Sequence, residues 1–339
     1  MVFVSDAWYP QVNGVVRTLQ SVADHLVRLG HEVILITPEQ FRSIPCPTYP
    51  EIRLALNAWP KVGQMIRHRQ PDSIFIATEG PLGLAARQFC RSRRLRFTTS
   101  FSTKFPEYIR LRFLIPEGWS YQYFRWFHNG ADAVMAPTSS LRRELESQGI
   151  RNTAMWELGV DVELFKSSPN ALFNKLARPI MLYVGRVAVE KNIETFLSLP
   201  LEGTKVVVGN GPAIAQLQGK FPEAVFVGEK HGPELADYYA AGDVLVFPSR
   251  TDTFGLVLLE ALACGTPVAA FPVTGPIDVI KDDQVGALDE DLARAVTRAL
   301  TLNREDCRKY ALRYSWENCA RVLAQHLSSN RPTWYNSRK

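Results

Sequence analysis

Two stretches of the chain combine cations, carboxylates and glycine at spacings that suit an anionic ligand. In "LYVGRVAVEKN", residues 182–192, an apolar run ends in Gly185-Arg186 and Lys191 follows, near a helix start. A glycine at a strand end permits close backbone approach. An arginine and a lysine there can converge on one diphosphate. In "SRTDTFGLVLLEALACGTP", residues 249–267, a loop holding Asp252 runs into Gly255, and the apolar helix beyond it carries Glu260. The first N–H groups of such a helix, with its dipole, form an anion site. Glu260 could accept hydrogen bonds from a ribose diol, and Asp252 could meet the hydroxyls of a sugar. Each feature also has a plain structural reading. Arg186 and Lys191 would be surface cations at an ordinary turn, and Glu260 would be salt-bridged, since a buried carboxylate is costly unless paired. The set is less accidental than any one member.

Positioning these residues requires strands that end where the loops begin. Val2 to Ser5 is a short β-rich run followed by "DAWYPQVNG", and Val15, Val16, Leu19, Val22, Leu26 and Leu29 then line one helical face up to Gly30. "HEVILITP", "DSIFIATEG", "LRFTTSFS" and "ADAVMAPTSS" are apolar runs of the kind buried parallel strands show. Helical stretches follow from Leu82 to Arg93, and through Gln148 with Thr138, Ser139 or Ser140 as cap. The rhythm lapses at "KSSPNALFNKLAR", residues 166–178, and resumes with "IMLYVGR", "KVVVGNG", "AVFVGE", "DVLVFPS" and "PVAAFP". Strands alternating with helices predict an α/β fold of two doubly wound parallel sheets. Their expected extents are residues 1–168 and 169–315, with 316–339 forming a helix that returns to the first domain and a frayed polar tail. Ligands of such sheets sit beyond the carboxyl ends of the strands.

The 339 residues are 46% hydrophobic and 22% charged, with a formal net charge of +5, too weakly basic to imply nucleic acid. The first 165 residues hold 19 basic against 15 acidic side chains, the remainder 20 against 19. From Arg87 to Arg112 eight basic residues (Arg87, Arg91, Arg93, Arg94, Arg96, Lys104, Arg110, Arg112) face one acid, Glu107. They read either as a solvated helix face or as a patch drawn to an anionic membrane, at about 1 kcal/mol per cation. "WSYQYFRWFH", residues 119–128, holds six aromatics in ten positions, suited to core packing or to peripheral docking on lipid. Five widely spaced cysteines without CxxC or Cys/His clusters predict reduced thiols in a cytoplasmic protein. His128 and His231 have no partner at metal-ligand spacing, so no metal is expected. No signal peptide or membrane-spanning run is expected, leaving peripheral contact with the cytoplasmic membrane face.

Residues 182–192, 209–212 (Gly-Asn-Gly-Pro) and 248–267 together resemble the donor-binding half of the retaining glycosyltransferases of family 4. "DAWYPQVNGVVRTL" resembles that family's N-terminal glycine loop, "LGVDVELF" its segment before the interdomain linker, and "GEKHGPELADYYAAGDVLVFPS" the segment before the acidic motif. The likeness covers nearly the whole chain and looks closest to the UDP- or GDP-sugar-dependent branch that includes mannosyl and glycolipid-forming enzymes. It implies the GT-B fold, two Rossmann-like domains facing across a cleft, and metal-independent retaining hexosyl transfer. The donor nucleotide sugar is the substrate, and no cofactor is implied. By the same resemblance Arg186 and Lys191 bind the donor diphosphate and Gly14 approaches it from the other domain. Glu260 holds the ribose, and Asp252 with the backbone of Phe254, Gly255 and Leu256 holds the transferred sugar. Gly209 and Gly211 belong to the donor site as well. A lipid or lipid-linked acceptor is expected, a soluble saccharide being the alternative.

Two positions depart from the family pattern. Asp252 stands where the motif has glutamate, one methylene shorter. Ser102 stands where relatives usually have a histidine beside the reacting sugar, and serine cannot take a positive charge. A nucleotide-sugar-binding pseudoenzyme is the alternative that this substitution raises. A nicotinamide oxidoreductase is disfavoured, because Gly209-Asn210-Gly211-Pro212 lacks the third glycine of the dinucleotide fingerprint.

Overall fold

The structure is a computed structural model that describes residues 1–11, 13–46, 49–104, 117–168 and 171–330. Glu107, Arg110, Arg112 and the last nine residues of the polar tail lie outside the described residues. Contacts divide the chain into two compact units, Met1–Glu157 with the C-terminal segment from Trp316, and Leu158–Ser315.

The first unit contains β1 (Val2–Val4), β2 (Ile34–Ile36), β3 (Ser43–Cys46), β4 (Tyr49–Ala55), β5 (Ile74–Ile76), β6 (Thr98–Ser100), β7 (Ala133–Ala136) and β8 (Thr153–Met155). All but the antiparallel hairpin β3–β4 form one parallel sheet in the order β2-β1-β5-β6-β7-β8. Residues of β1 and β5 are at most 1% exposed, which is why these runs read as continuously apolar. The helix Gly14–Arg28 is capped by Asn13, whose Oδ1 accepts from the N–H groups of Val15 and Val16 at 3.0 Å each. Thr138 caps the helix Ser139–Ser147 in the same way, through the N–H of Leu141.

The helix Trp316–His326 belongs to this unit. It packs on Gly14–Arg28, and its Cys319 carbonyl accepts from the indole N–H of the buried Trp156 at 3.1 Å. Part of the tail departs from the frayed expectation. Asn330 is fully buried, its amide bonded to both the N–H and the C=O of Arg96 at 2.8 Å.

The second unit contains β9 (Ile180–Val184), β10 (Thr204–Val208), β11 (Val225–Gly228), β12 (Val244–Phe247), β13 (Val268–Ala270) and β14 (Gly286–Leu288), all parallel in the order β11-β10-β9-β12-β13-β14. The unit begins at Leu158, earlier than the expected residue 169. Arg308 anchors that entering segment, donating to the carbonyls of Phe165 (2.6 Å), Val162 (2.8 Å) and Ala263 (2.9 Å). In this sheet successive strands run one way from β9 through β10 to β11 and the other way from β12 outward. The reversal at β9/β12 opens a crevice at the carboxyl edge, the place where doubly wound sheets take ligands. In the first sheet the same reversal falls at β1/β5.

Candidate active site

The loops that leave β9 and β12 carry the cations and carboxylates singled out above, and side chains tie them together. Lys191 Nζ lies 2.5 Å from Asp252 Oδ1, both side chains being 17% exposed. Asn192 donates its amide to the carbonyl of Pro248 at 3.1 Å, and Thr251 donates its hydroxyl to that of Glu190 at 3.3 Å. Arg186 pairs with the largely buried Glu190 at 2.5 Å and keeps a third of its side chain in solvent. Burial alone would push the Asp252 carboxyl up. The charge and hydrogen bond of Lys191, helped by the Ser249 hydroxyl and the more distant Arg186, outweigh it and hold the group below its ordinary value.

Gly255 follows, with φ of +85°, a left-handed conformation that a side chain would strain, and it opens the helix Leu256–Ala263. No side-chain hydrogen bond caps this helix, whose start follows the Asp252 loop in the chain. Phe254 is buried beneath the turn and Leu256 is partly covered. Asp252 Oδ2 and Ser249 Oγ are buried together in the same loop, and the serine hydroxyl helps hold the Asp252 carboxyl down.

Glu260 is 5% exposed, and its Oε2 accepts from the hydroxyl of buried Tyr239 at 2.7 Å. A tyrosine thus supplies a partner where an arginine or lysine was one expectation. Gly209 and Gly211 act through backbone proximity. A Cβ on Gly209 would stand 1.9 Å from the carbonyl oxygen of Gly185, and one on Gly211 would stand 2.4 Å from that of Val187. The Gly209–Gly211 turn is pressed against the loop bearing Arg186, with Val187 N–H donating to Asn210 O at 2.8 Å. Ser249, Glu190 and Tyr239 were missed as site residues. Ser249 lies inside the quoted motif, whereas nothing local marks Tyr239.

The remaining predicted positions lie in the first unit. Gly14 is exposed at the start of its helix, on the loop after β1. Ser102 is half-buried just past β6, its hydroxyl 3.4 Å from that of Ser100. The basic stretch divides. Arg87 is buried, donating to the carbonyls of Phe127 (2.9 Å) and Trp126 (2.6 Å) and stacking on the Trp126 ring at 3.7 Å. Lys104 is buried against Glu144 at 2.7 Å, and Arg96 pairs with Asp132. The aromatic segment forms the helix Glu117–His128, and it too divides. Tyr121, Phe124 and Phe127 are buried, whereas Trp119, Tyr123 and Trp126 are 76%, 37% and 49% exposed. Among the described residues no three His, Cys, Asp or Glu side chains gather as a metal site, and no helix is long and apolar enough to cross a membrane. Cys90, Cys264, Cys307 and Cys319 are buried free thiols, and burial pushes those of Cys264 and Cys307 up to about 12.

Residues 12–164 match the family described as Glycosyltransferase Family 4, and residues 178–302 match that described as Glycosyl transferases group 1. A GDP-mannose-dependent alpha-mannosyltransferase of Mycobacterium tuberculosis is 32% identical over 84% of this chain and 82% of that protein. The sulfoquinovosyl transferase SQD2 of Arabidopsis thaliana is 31% identical, and the match covers 84% of this chain but 61% of that longer relative. An alpha-monoglucosyldiacylglycerol synthase of Streptococcus pneumoniae is 26% identical over 87% of this chain and 77% of that protein. Among solved structures, sucrose-phosphate synthase from Thermosynechococcus elongatus superposes with a TM-score of 0.74 at 21% identity, covering 96% of this chain and 97% of that one. That likeness shows the fold, GT-B. The chain is a glycosyltransferase and belongs to family 4.

Proposed function

We infer that the chain transfers a hexosyl group, with retention, from a UDP- or GDP-sugar to a lipid or lipid-linked acceptor. The observation that carries the donor half is the Lys191–Asp252 clasp at the β9/β12 reversal, in a loop that leads into a helix start with no side-chain cap. In this reading Arg186, Lys191 and the N–H groups after Gly255 hold the diphosphate. Their positive charge stabilises the phosphate as it leaves, so no metal ion is required. Asp252 Oδ2, Ser249 Oγ and the backbone from Phe254 to Leu256 meet the sugar hydroxyls, and Glu260 meets the ribose. Gly209 and Gly211 hold the Arg186 loop in register. Gly14, exposed at the start of its helix, and Ser102, just past β6, enter this reading through the family resemblance alone.

The acceptor half rests on the helix Glu117–His128. Trp119, Tyr123 and Trp126 fall on one face at helical spacing, exposed, with Arg91 and Arg125 beside Trp126 in one shallow groove. Exposed aromatics flanked by cations suit the boundary of an anionic bilayer. The relative named for diacylglycerol glucosylation agrees with a lipid acceptor. We place the enzyme peripherally, on the cytoplasmic face of the membrane.

A thermal-shift panel of UDP- and GDP-sugars tests the donor half, because preferential binding raises the midpoint by mass action. One nucleotide sugar should shift the melt, and its labelled hexose should pass into extracted bacterial lipid. A panel without any shift would remove the donor assignment. Transfer to soluble saccharides, with none to lipid, would replace the acceptor.

A further inference from the structure

The first sheet carries polar groups at its own carboxyl edge. Asp6 follows β1, Glu79 follows β5 and Ser102 follows β6, three adjacent strands that include the β1/β5 reversal. Asp6 is committed to structure. Its carboxylate accepts from Thr78 Oγ1 (2.8 Å), Leu82 N (2.7 Å) and Gly83 N (3.2 Å), holding the start of the helix Pro81–Arg93.

Glu79 is arranged differently. Its Oε1 lies 3.2 Å from His128 Nε2, and its side chain is 7% exposed. Its Oε2 receives no hydrogen bond among the described residues. The His128 ring is fully buried, its Nδ1 2.9 Å from Thr99 Oγ1, and it is packed against Phe101, Phe124 and Phe127. An imidazole engaged at both nitrogens and wedged between phenyl rings cannot swing towards a ligand. What it does is fix a carboxylate at the edge where a ligand would arrive. Tyr123 adds a second restraint, its hydroxyl donating to the Glu79 carbonyl at 2.7 Å.

We propose that Glu79 receives the acceptor's hydroxyl, with Oε2 accepting that O–H, and that His128 is the residue positioning it. The assignment deepens the hexosyl-transfer reading and rests on it. In the step served, the acceptor oxygen bonds to the anomeric carbon as the bond from that carbon to the diphosphate oxygen breaks. The hydroxyl proton passes to the departing phosphate oxygen. Glu79 aligns and polarises the hydroxyl and keeps no proton.

The test uses the full chain, vesicles of total bacterial lipid as acceptor, labelled UDP- and GDP-sugars as donors, and melting curves with and without nucleotide on every sample. Glu79→Gln should lower kcat/KM for acceptor about 10- to 100-fold, the value of a charge-assisted hydrogen bond. Its nucleotide-induced melting shift should match that of the wild type. His128→Gln retains a donor towards Glu79, whereas His128→Phe fits the aromatic surroundings but offers none. Acceptor kcat/KM should therefore fall further in His128→Phe than in His128→Gln when the two melt alike. Acceptor kinetics of Glu79→Gln within about two-fold of wild type, or activity that simply follows melting temperature across the histidine pair, would overturn the proposal. Loss of the nucleotide shift in the wild type strikes the donor reading instead, so the two failures are told apart.

Discussion

Lys191→Ala separates what the Lys191–Asp252 pair does for the fold from what it does for the ligand. Removing one partner of a fully buried pair costs about 3–5 kcal/mol, because the other charge is stranded. Here both side chains keep 17% of their surface and Arg186 acts on Asp252 from farther off, so about 2–3 kcal/mol is expected. For a unit of this size that is a melting shift of about 4–12 °C. Nucleotide affinity should fall separately, by about 1.5–3 kcal/mol or 10- to 150-fold, for one lost charge-assisted contact. The double variant Lys191→Ala/Asp252→Asn strands no charge and should regain most of the stability, yet it should bind nucleotide no better than Lys191→Ala.

The pH dependence carries a sign. The Asp252 carboxyl titrates below its ordinary value of 3.8, so the pair's stabilisation is complete above that value and is lost as pH falls through the still lower folded value. In Lys191→Ala burial acts without its main counterweight. The carboxyl should then titrate above 3.8, and stability should decline as pH rises through that window. Urea unfolding against pH, with titration calorimetry of UDP and GDP, measures both quantities. An affinity within about two-fold of wild type, or a double variant that recovers binding along with stability, would refute a role for Lys191 at the diphosphate.

Gly209→Ala forces a methyl group onto the Gly185 carbonyl, so the second unit's melting temperature and the nucleotide affinity should fall together; a variant that keeps both would show that the turn yields freely. Tyr239→Phe leaves Glu260 Oε2 without its hydroxyl partner and should cost about 1.5–3 kcal/mol in denaturant unfolding. Glu260→Ala should likewise lose stability as well as donor affinity, since it removes the carboxylate that the buried Tyr239 hydroxyl donates to. Replacing Trp119 and Trp126 together by alanine should reduce co-sedimentation with anionic vesicles while leaving nucleotide binding intact. The remaining affinity should weaken as salt rises.

The sequence showed most clearly where burial is two-sided. β1, β5, β9 and β12 are wrapped by helices on both faces, so every residue in them is apolar and the run announces itself. β8 is partly covered at an edge and β14 is the glycine-led run Gly-Ala-Leu, and neither stood out. The donor loops were legible because Arg186, Lys191, Asp252 and Gly255 are chemically distinctive and close to strand ends. Their partners were not. Tyr239 meets Glu260 from a separate helix, and no periodicity encodes a hydroxyl's direction. The helix Glu117–His128 posed core packing against surface docking as alternatives, and it does both on opposite faces. His128 was noticed in sequence as a lone histidine. Glu79, which gives it a purpose, lies 49 residues away in what reads as an ordinary strand exit.

The first unit is closed by a segment remote from it in sequence. Thr98 on β6 donates its hydroxyl to His326 O at 2.8 Å, and Asn330 N–H bonds to Asp72 O at 2.6 Å. Removing residues 316–330 would leave every residue of Leu158–Ser315 in place yet strip the first unit of a packed helix and uncover Trp156. The loss would surface as misfolding of a unit whose own strands are untouched, and supplying the helix as a separate peptide should mend it.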